Sequence, residues 1–216
     1  MEAKPWPPFA QLGFWSAVLA AVFSMLFTVG VLVGGILPRP WDVVIPIGAS
    51  LLLAPSFVVM MVSVHYGAAD EKKIWSHIGI AFAVLYAALV SIVYVTWLFV
   101  AEPHVLRGEA NQVALFTFTP GSFLQMVDGL GYTFMGIATL FAAQVFAGKR
   151  LEQWIRWLCL LNGLGALMVF LSYVFYGPLG LPFLYSLLLG VWWTFIFPAL
   201  AILLAVYFRR AGDTTR

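Results

Sequence analysis

Residues 12–37, LGFWSAVLAAVFSMLFTVGVLVGGIL, contain no charged side chain and no proline. At ~1.5 Å of rise per residue, a helix of this length exceeds the ~30 Å hydrocarbon core of a bilayer. The run is also longer than the ~7–15-residue apolar core of a secretory signal, and no small-x-small cleavage site follows it. It therefore reads as a permanent membrane span. Working outward, five more runs of the same kind follow, giving expected spans at about 12–37, 43–67, 77–101, 120–147, 155–177 and 181–208. Their apolar residues are continuous rather than alternating, which excludes a barrel. A chain crossing hydrocarbon without water must satisfy its backbone groups internally, which makes each run a helix.

The composition agrees. Of 216 residues, 63% are hydrophobic and 9% charged, against roughly a quarter charged in soluble domains. Mean hydropathy is +0.99. A disordered or nucleic-acid-binding chain needs dense charge and few apolar residues, so both classes are excluded. The single cysteine, Cys159, permits no intrachain disulfide and no cysteine-based metal cluster. The expected fold is an all-α, six-helix transmembrane bundle forming one domain over residues 1–216, without a soluble module.

Helix breakers punctuate these spans. Pro38 and Pro40 follow the first, Pro103 follows the third, and Pro178 and Pro182 flank the turn after the fifth. Thr119 before Pro120 reads as a cap with proline in the first turn of span four. Pro55 and Pro198 fall inside spans, where each removes a backbone hydrogen bond and favours a kink. Residues 102–119 form the longest loop, with room for a short interfacial helix.

Orientation follows from the basic residues. Lys4, Lys72, Lys73, Lys149, Arg150, Arg156, Arg209, Arg210 and Arg216 fall on one side of the six spans, and only Arg39 and Arg107 on the other. Lysine and arginine in short loops stay in the cytoplasm, so both termini are expected there. The expected location is the plasma membrane of a bacterium or archaeon. Seven tryptophans, Trp97 among them, fall near expected interfaces, where amphipathic rings anchor helices. Trp192 and Trp193 lie deeper, and packing against neighbouring helices is their expected role. Gly30 with Gly34, and Gly129 with Gly136, permit close helix contact, within the bundle or between copies of the chain.

Asp128 is the strongest functional pointer, being the only acid well inside a span. An ionised carboxylate at the centre of a span costs ~2.5–3.5 kcal/mol on insertion scales, so it should face the bundle interior. Gln125, Asp128, Tyr132, Met135 and Thr139 share one helical face by their 3-4-3-4 spacing, so the acid sits in a polar stripe. No lysine or arginine lies within a span. Asp128 is therefore either protonated or met from the outer side by Arg39 or Arg107, with Tyr173 and Tyr176 as candidate hydroxyl partners. Asn162, between the glycines of span five, is expected to join helices.

His65 and His77, with Asp70 and Glu71 between them, share one cytoplasmic hairpin. Twelve positions separate the histidines, and no third histidine or cysteine accompanies them, so no metal and no haem is expected. The chain has no nucleophile elbow, phosphate-binding loop, zinc-protease helix or dinucleotide fingerprint.

The segment 128–165, with Gly148-Lys149-Arg150-Leu151, Trp154-Ile155-Arg156 and Asn162-Gly163-Leu164-Gly165, resembles the fourth-to-fifth helix region of uncharacterised six-helix bacterial membrane-protein families. It covers less than a fifth of the chain and implies no catalytic residues. Three functions remain open. The first is binding or transport of a small amphipathic or apolar molecule, or of a proton, through an outward-facing pocket of Asp128, Gln125, Tyr132, Thr139, Arg39 and Arg107. The second is a non-catalytic accessory subunit or scaffold of a membrane complex. An intramembrane enzyme comes third, because one acid without a base, nucleophile or metal has no evident mechanism. Membrane lipids are the expected surroundings; no cofactor and no nucleic acid is expected.

Overall fold

The computed structural model describes residues 5–118, 122–176, 190 and 192–214, with backbone only at 169 and 172–176. All regular structure among them is helical. The long helices are α1 (Pro8–Val33), α2 (Trp41–Gly67), α3 (Lys73–Thr96), α5 (Phe123–Ala142), α6 (Arg150–Tyr176) and α7 (Phe197–Asp213); α4 (Glu102–Leu106) is one short turn after α3. Each long helix packs on the next in chain order, and α1 packs on α7, so the six close into a ring. The connections between α1 and α2, α2 and α3, and α5 and α6 are short, which makes these neighbours antiparallel. Contacts at both ends bear this out. At one end Gly67 lies by Phe9 and Tyr207, and the Lys72 ammonium donates to the Val145 carbonyl at 2.9 Å. At the other, Phe27 meets Trp193 and Arg39 meets Glu102.

Among the described residues, four helical stretches are long and apolar enough to cross a membrane: Pro8–Val33, Trp41–Gly67, Asp70–Leu106 and Trp192–Asp213. Of the other two long helices, α5 is more polar, and the side chains at 169 and 172–176 of α6 are not among those described. α5 carries Gln125 and Asp128, and α6 carries Arg150, Glu152 and Arg156 in its first two turns. The surface fits an apolar solvent. α1 buries only small residues, such as Gly13, Ala17, Ala20 and Ser24, and turns Leu12, Trp15, Leu19 and Val22 outward. Small residues inside with large apolar ones outside is the pattern of helices packed in lipid rather than in water. Trp15, Trp41, Trp75, Trp154 and Trp157 are exposed near helix ends, as interfacial anchors should be.

Several boundaries differ from the sequence expectation. The third span runs on past Ala101, because the wide turn at Trp97–Ala101 lets the helix pass through Pro103. α5 starts at Phe123 and is capped by Ser122, whose hydroxyl accepts from the Gln125 amide at 3.2 Å. The expected Thr119–Pro120 cap lies outside the described residues, as do Pro178, Pro182 and the expected start of span six. α5 also stops at Ala142, and turns carry the chain through Phe146. α2 stays helical through both Pro46 and Pro55.

Two prolines shape the helices next to them. Trp97–Ala101 and Trp192–Ile196 are wide π-helical turns, each ending two residues before a proline, Pro103 and Pro198. Proline lacks a donor and its ring crowds the carbonyl four residues back, at Phe99 and at Thr194. A widened turn relieves that crowding. Both turns carry tryptophans to the same end of the ring.

Small residues set the closest contacts. A Cβ built on Gly136 would collide with that of Ala166 and lie 3.1 Å from the Gly163 carbonyl, so α5 and α6 meet backbone to backbone. Thr139 spans the same seam, accepting from the Asn162 amide at 3.1 Å and donating to the Gly136 carbonyl at 2.8 Å. Gly30 faces Pro46 of α2, 3.0 Å from where its Cβ would stand. These two glycines therefore make contacts within the chain.

Candidate functional site

The end of the ring that carries the π-helical turns encloses a cavity of about 660 Å³ between α1, α2, α3, α5 and the residues before α7. Asp128 is on its wall and is 6% exposed. The position follows from the helix itself: Leu124, Asp128, Tyr132, Met135 and Thr139 are all buried along one face of α5, as the sequence spacing requires. Gln125 is half-buried beside the Ser122 cap and does not line the cavity. Thr139, lower on the same face, belongs to the α5–α6 seam. Of the four stripe residues expected to form a site, Asp128 and Tyr132 are the two that the cavity brings together.

The polar neighbours of Asp128 come from α3. The Tyr94 hydroxyl lies beside the carboxyl and shares a 2.8 Å hydrogen bond with the Tyr132 hydroxyl. Tyr94 and Tyr132 are both buried. The second carboxyl oxygen, Oδ1 of Asp128, is buried without a hydrogen-bond partner. A buried polar atom left in this way is costly and calls for a reason.

Neither arginine expected to reach Asp128 does so. Arg39 Nε lies 3.4 Å from Asp42 Oδ2 and 3.7 Å from Glu102 Oε1, while Arg107 Nε lies 3.1 Å from Glu109 Oε2. Both arginines thus pair with acids near them at the cavity end. Among the described residues no ion pair involves Asp128, and no lysine or arginine lines the cavity. The hydroxyls of Tyr173 and Tyr176 lie outside the described side chains.

Asp42 is a second acid on the wall, in the first turn of α2 by the α1–α2 connection. Its Oδ1 is buried and unpartnered, although its other oxygen faces Arg39. Apolar rings make much of the remainder. Trp193 meets Tyr132 edge to face at 4.8 Å between ring centres and stacks on Trp192 at 5.0 Å. Across the cavity Trp97 stacks on Phe118 at 4.8 Å. Trp192 and Trp193 therefore line a pocket besides packing, and Trp97 lines it instead of serving only as an interfacial anchor. The Pro198 and Pro103 turns are what direct them there.

At the opposite end, the His65 and His77 rings stand 5.6 Å apart between centres, and His65 Nδ1 is 2.9 Å from the Ser76 hydroxyl. Among the described residues no three of histidine, cysteine, aspartate and glutamate come together as a metal site would require.

Sequence reasoning missed Tyr94, Asp42 and the cavity role of Trp97. Tyr94 carried a usable signal, a hydroxyl inside the third span as near its outer end as Asp128 is to that of the fourth. No family model, curated protein or solved structure matches the chain. The arrangement itself is therefore the ground for any functional reading: aromatic walls around a carboxyl that has no ion pair among the described residues.

Proposed function

We propose that this chain is an integral protein of a bacterial or archaeal plasma membrane, with six spans and both termini cytoplasmic. We further propose that it binds or transports a small amphipathic or apolar molecule, or a proton, through an outward-facing pocket around Asp128. Six spans are supported by the closed ring of six helices. The orientation is supported by Lys72, Lys73, Lys149, Arg150, Arg209 and Arg210, which gather at the end of the ring away from the cavity. The single observation that carries the functional reading is the unpartnered oxygen of buried Asp128 on the wall of a cavity of about 660 Å³. That volume falls within the ~300–1,000 Å³ of small-molecule sites.

Asp128 and Tyr132, joined by Tyr94, are the proposed ligand contacts. Arg39 stands near the mouth with Asp42, Arg107 belongs to the loop beyond it, and Gln125 and Thr139 hold α5 in place. A thermal-shift screen of small charged and neutral amphiphiles, on protein in mild detergent, tests the reading. A ligand of the folded state raises the melting temperature by mass action. Ile47 is buried on the cavity wall, so Ile47→Trp fills the space. At least one compound should stabilise the natural protein and lose its effect on Ile47→Trp. No stabilisation across the screen, or stabilisation that survives Ile47→Trp, would overturn the pocket and favour an accessory subunit.

A further inference from the structure

We infer that the molecule this pocket takes is an organic monocation, an ammonium with apolar substituents. The inference rests on the pocket reading above and adds the ligand's charge. Its first support is the one-sided set of ionisable groups: Asp42 and Asp128 line the cavity, and among the described residues no lysine or arginine does. An anion would meet carboxyl groups with no counter-charge. A neutral apolar molecule would leave Asp128 Oδ1 and Asp42 Oδ1, both already buried and unpartnered, without a partner still.

The second support is the wall. Trp193 and Tyr132 meet edge to face next to Asp128, and Trp97 with Phe118 forms a further stacked pair. Indole and phenol faces attract cations through their quadrupole, and quaternary ammonium groups are held in such aromatic surroundings. A bare divalent ion is a poor match, since Ca²⁺ takes ~6–8 oxygen ligands and Mg²⁺ an octahedron of them. No cluster of three acid, histidine or cysteine side chains is present among the described residues. A proton alone needs no cavity of about 660 Å³.

The charge follows from the pairing. Asp42 shares Arg39 with Glu102, whereas among the described residues Asp128 has no cation beside it, so one positive charge is what their deep end lacks. Asp42, near the α1–α2 connection, is met first and draws the cation in; Asp128 holds it, with Trp193 and Tyr132 against its apolar part.

Benzyltrimethylammonium and its uncharged carbon isostere, neopentylbenzene, separate charge from shape. Saturable quenching of tryptophan fluorescence is recorded for both probes with the natural protein, Asp128→Asn and Ile47→Trp. The cation should bind the natural protein at least about tenfold more tightly than the isostere, and Asp128→Asn should weaken the cation by about tenfold or more. Equal binding of the two probes, with Asp128→Asn without effect and Ile47→Trp abolishing both, would overturn the cationic ligand and leave the pocket standing. No saturable binding of either probe, or binding indifferent to Ile47→Trp, would overturn the pocket and the inference together. Should Asp128→Asn fail to fold, the comparison of the two probes on the natural protein, repeated with Asp42→Asn, decides the matter.

Discussion

Asp128 is buried on a cavity wall with one oxygen unpartnered and no cation paired to it among the described residues. A carboxylate that held the bundle together would be expected to have a cationic partner, and removing one member of a buried ion pair costs ~3–5 kcal/mol. Nothing comparable is lost here. Asp128→Asn keeps the size of the side chain and a group for the Tyr94 hydroxyl, so thermal stability in detergent should change by less than about 1 kcal/mol. Asp128→Leu removes the unpartnered oxygen, and stability should stay level or rise, because functional groups are commonly kept at a cost to stability. A loss of several kcal/mol in either variant would return Asp128 to a purely structural role. The inward direction of Asp128 was legible in the sequence, because the 3-4-3-4 spacing from Gln125 to Thr139 and the cost of a charge in lipid both point it inside. Its partner was not legible. Tyr94 belongs to α3, and only the packing of α3 on α5 brings the two together, whereas Arg39 turned to Asp42 and Glu102 at its own end of the ring.

At the scale of elements, α5 is fixed to α6 along one seam, by the Asn162–Thr139 hydrogen bond and by the glycine approach beside it. Gly136→Val would set a branched side chain onto Ala166 and the Gly163 backbone, where nothing can yield, at a cost of ~1–3 kcal/mol or more. Gly48, in α2, has open space where a Cβ would stand. Gly48→Ala should therefore leave stability level or raise it by up to ~1 kcal/mol, since alanine suits a helix interior better than glycine. Thermal denaturation of the pair checks both signs; equal effects would mean that the α5–α6 seam is not close-packed. Asn162 as a link between helices was readable from its position among glycines. The π-helical turns were not. Hydropathy places Pro103 and Pro198 at or inside spans but is blind to whether the crowding is relieved by a kink or by a wider turn. For the same reason Trp97 read as an anchor and Trp193 as packing, when both turn toward a shared space.

At the scale of the whole molecule, six apolar runs and the lopsided basic residues sufficed to anticipate an all-helical chain built for a membrane. Among the described residues, four stretches are apolar enough to cross one on their own terms. α5 is more polar because it carries Gln125 and Asp128, the acid buried inside the ring. The cavity is a property of the ring and of no single element, so the sequence pointed to a pocket at Asp128 but not to the walls that α1, α2 and α3 give it. The central claim is that this cavity opens to the outer face of the membrane. Thr28 lies on its wall in α1, and the natural cysteine, Cys159, is buried and serves as an unreactive background. The direct test is reaction of Thr28→Cys with a membrane-impermeant cationic methanethiosulfonate, applied to sealed cells and to inverted vesicles, beside Lys73→Cys from the opposite end. Thr28→Cys should react only from outside, more slowly in the presence of benzyltrimethylammonium, and Lys73→Cys only from inside. Failure of Thr28→Cys to react from either side, or its reaction from the inside alone, would contradict the account.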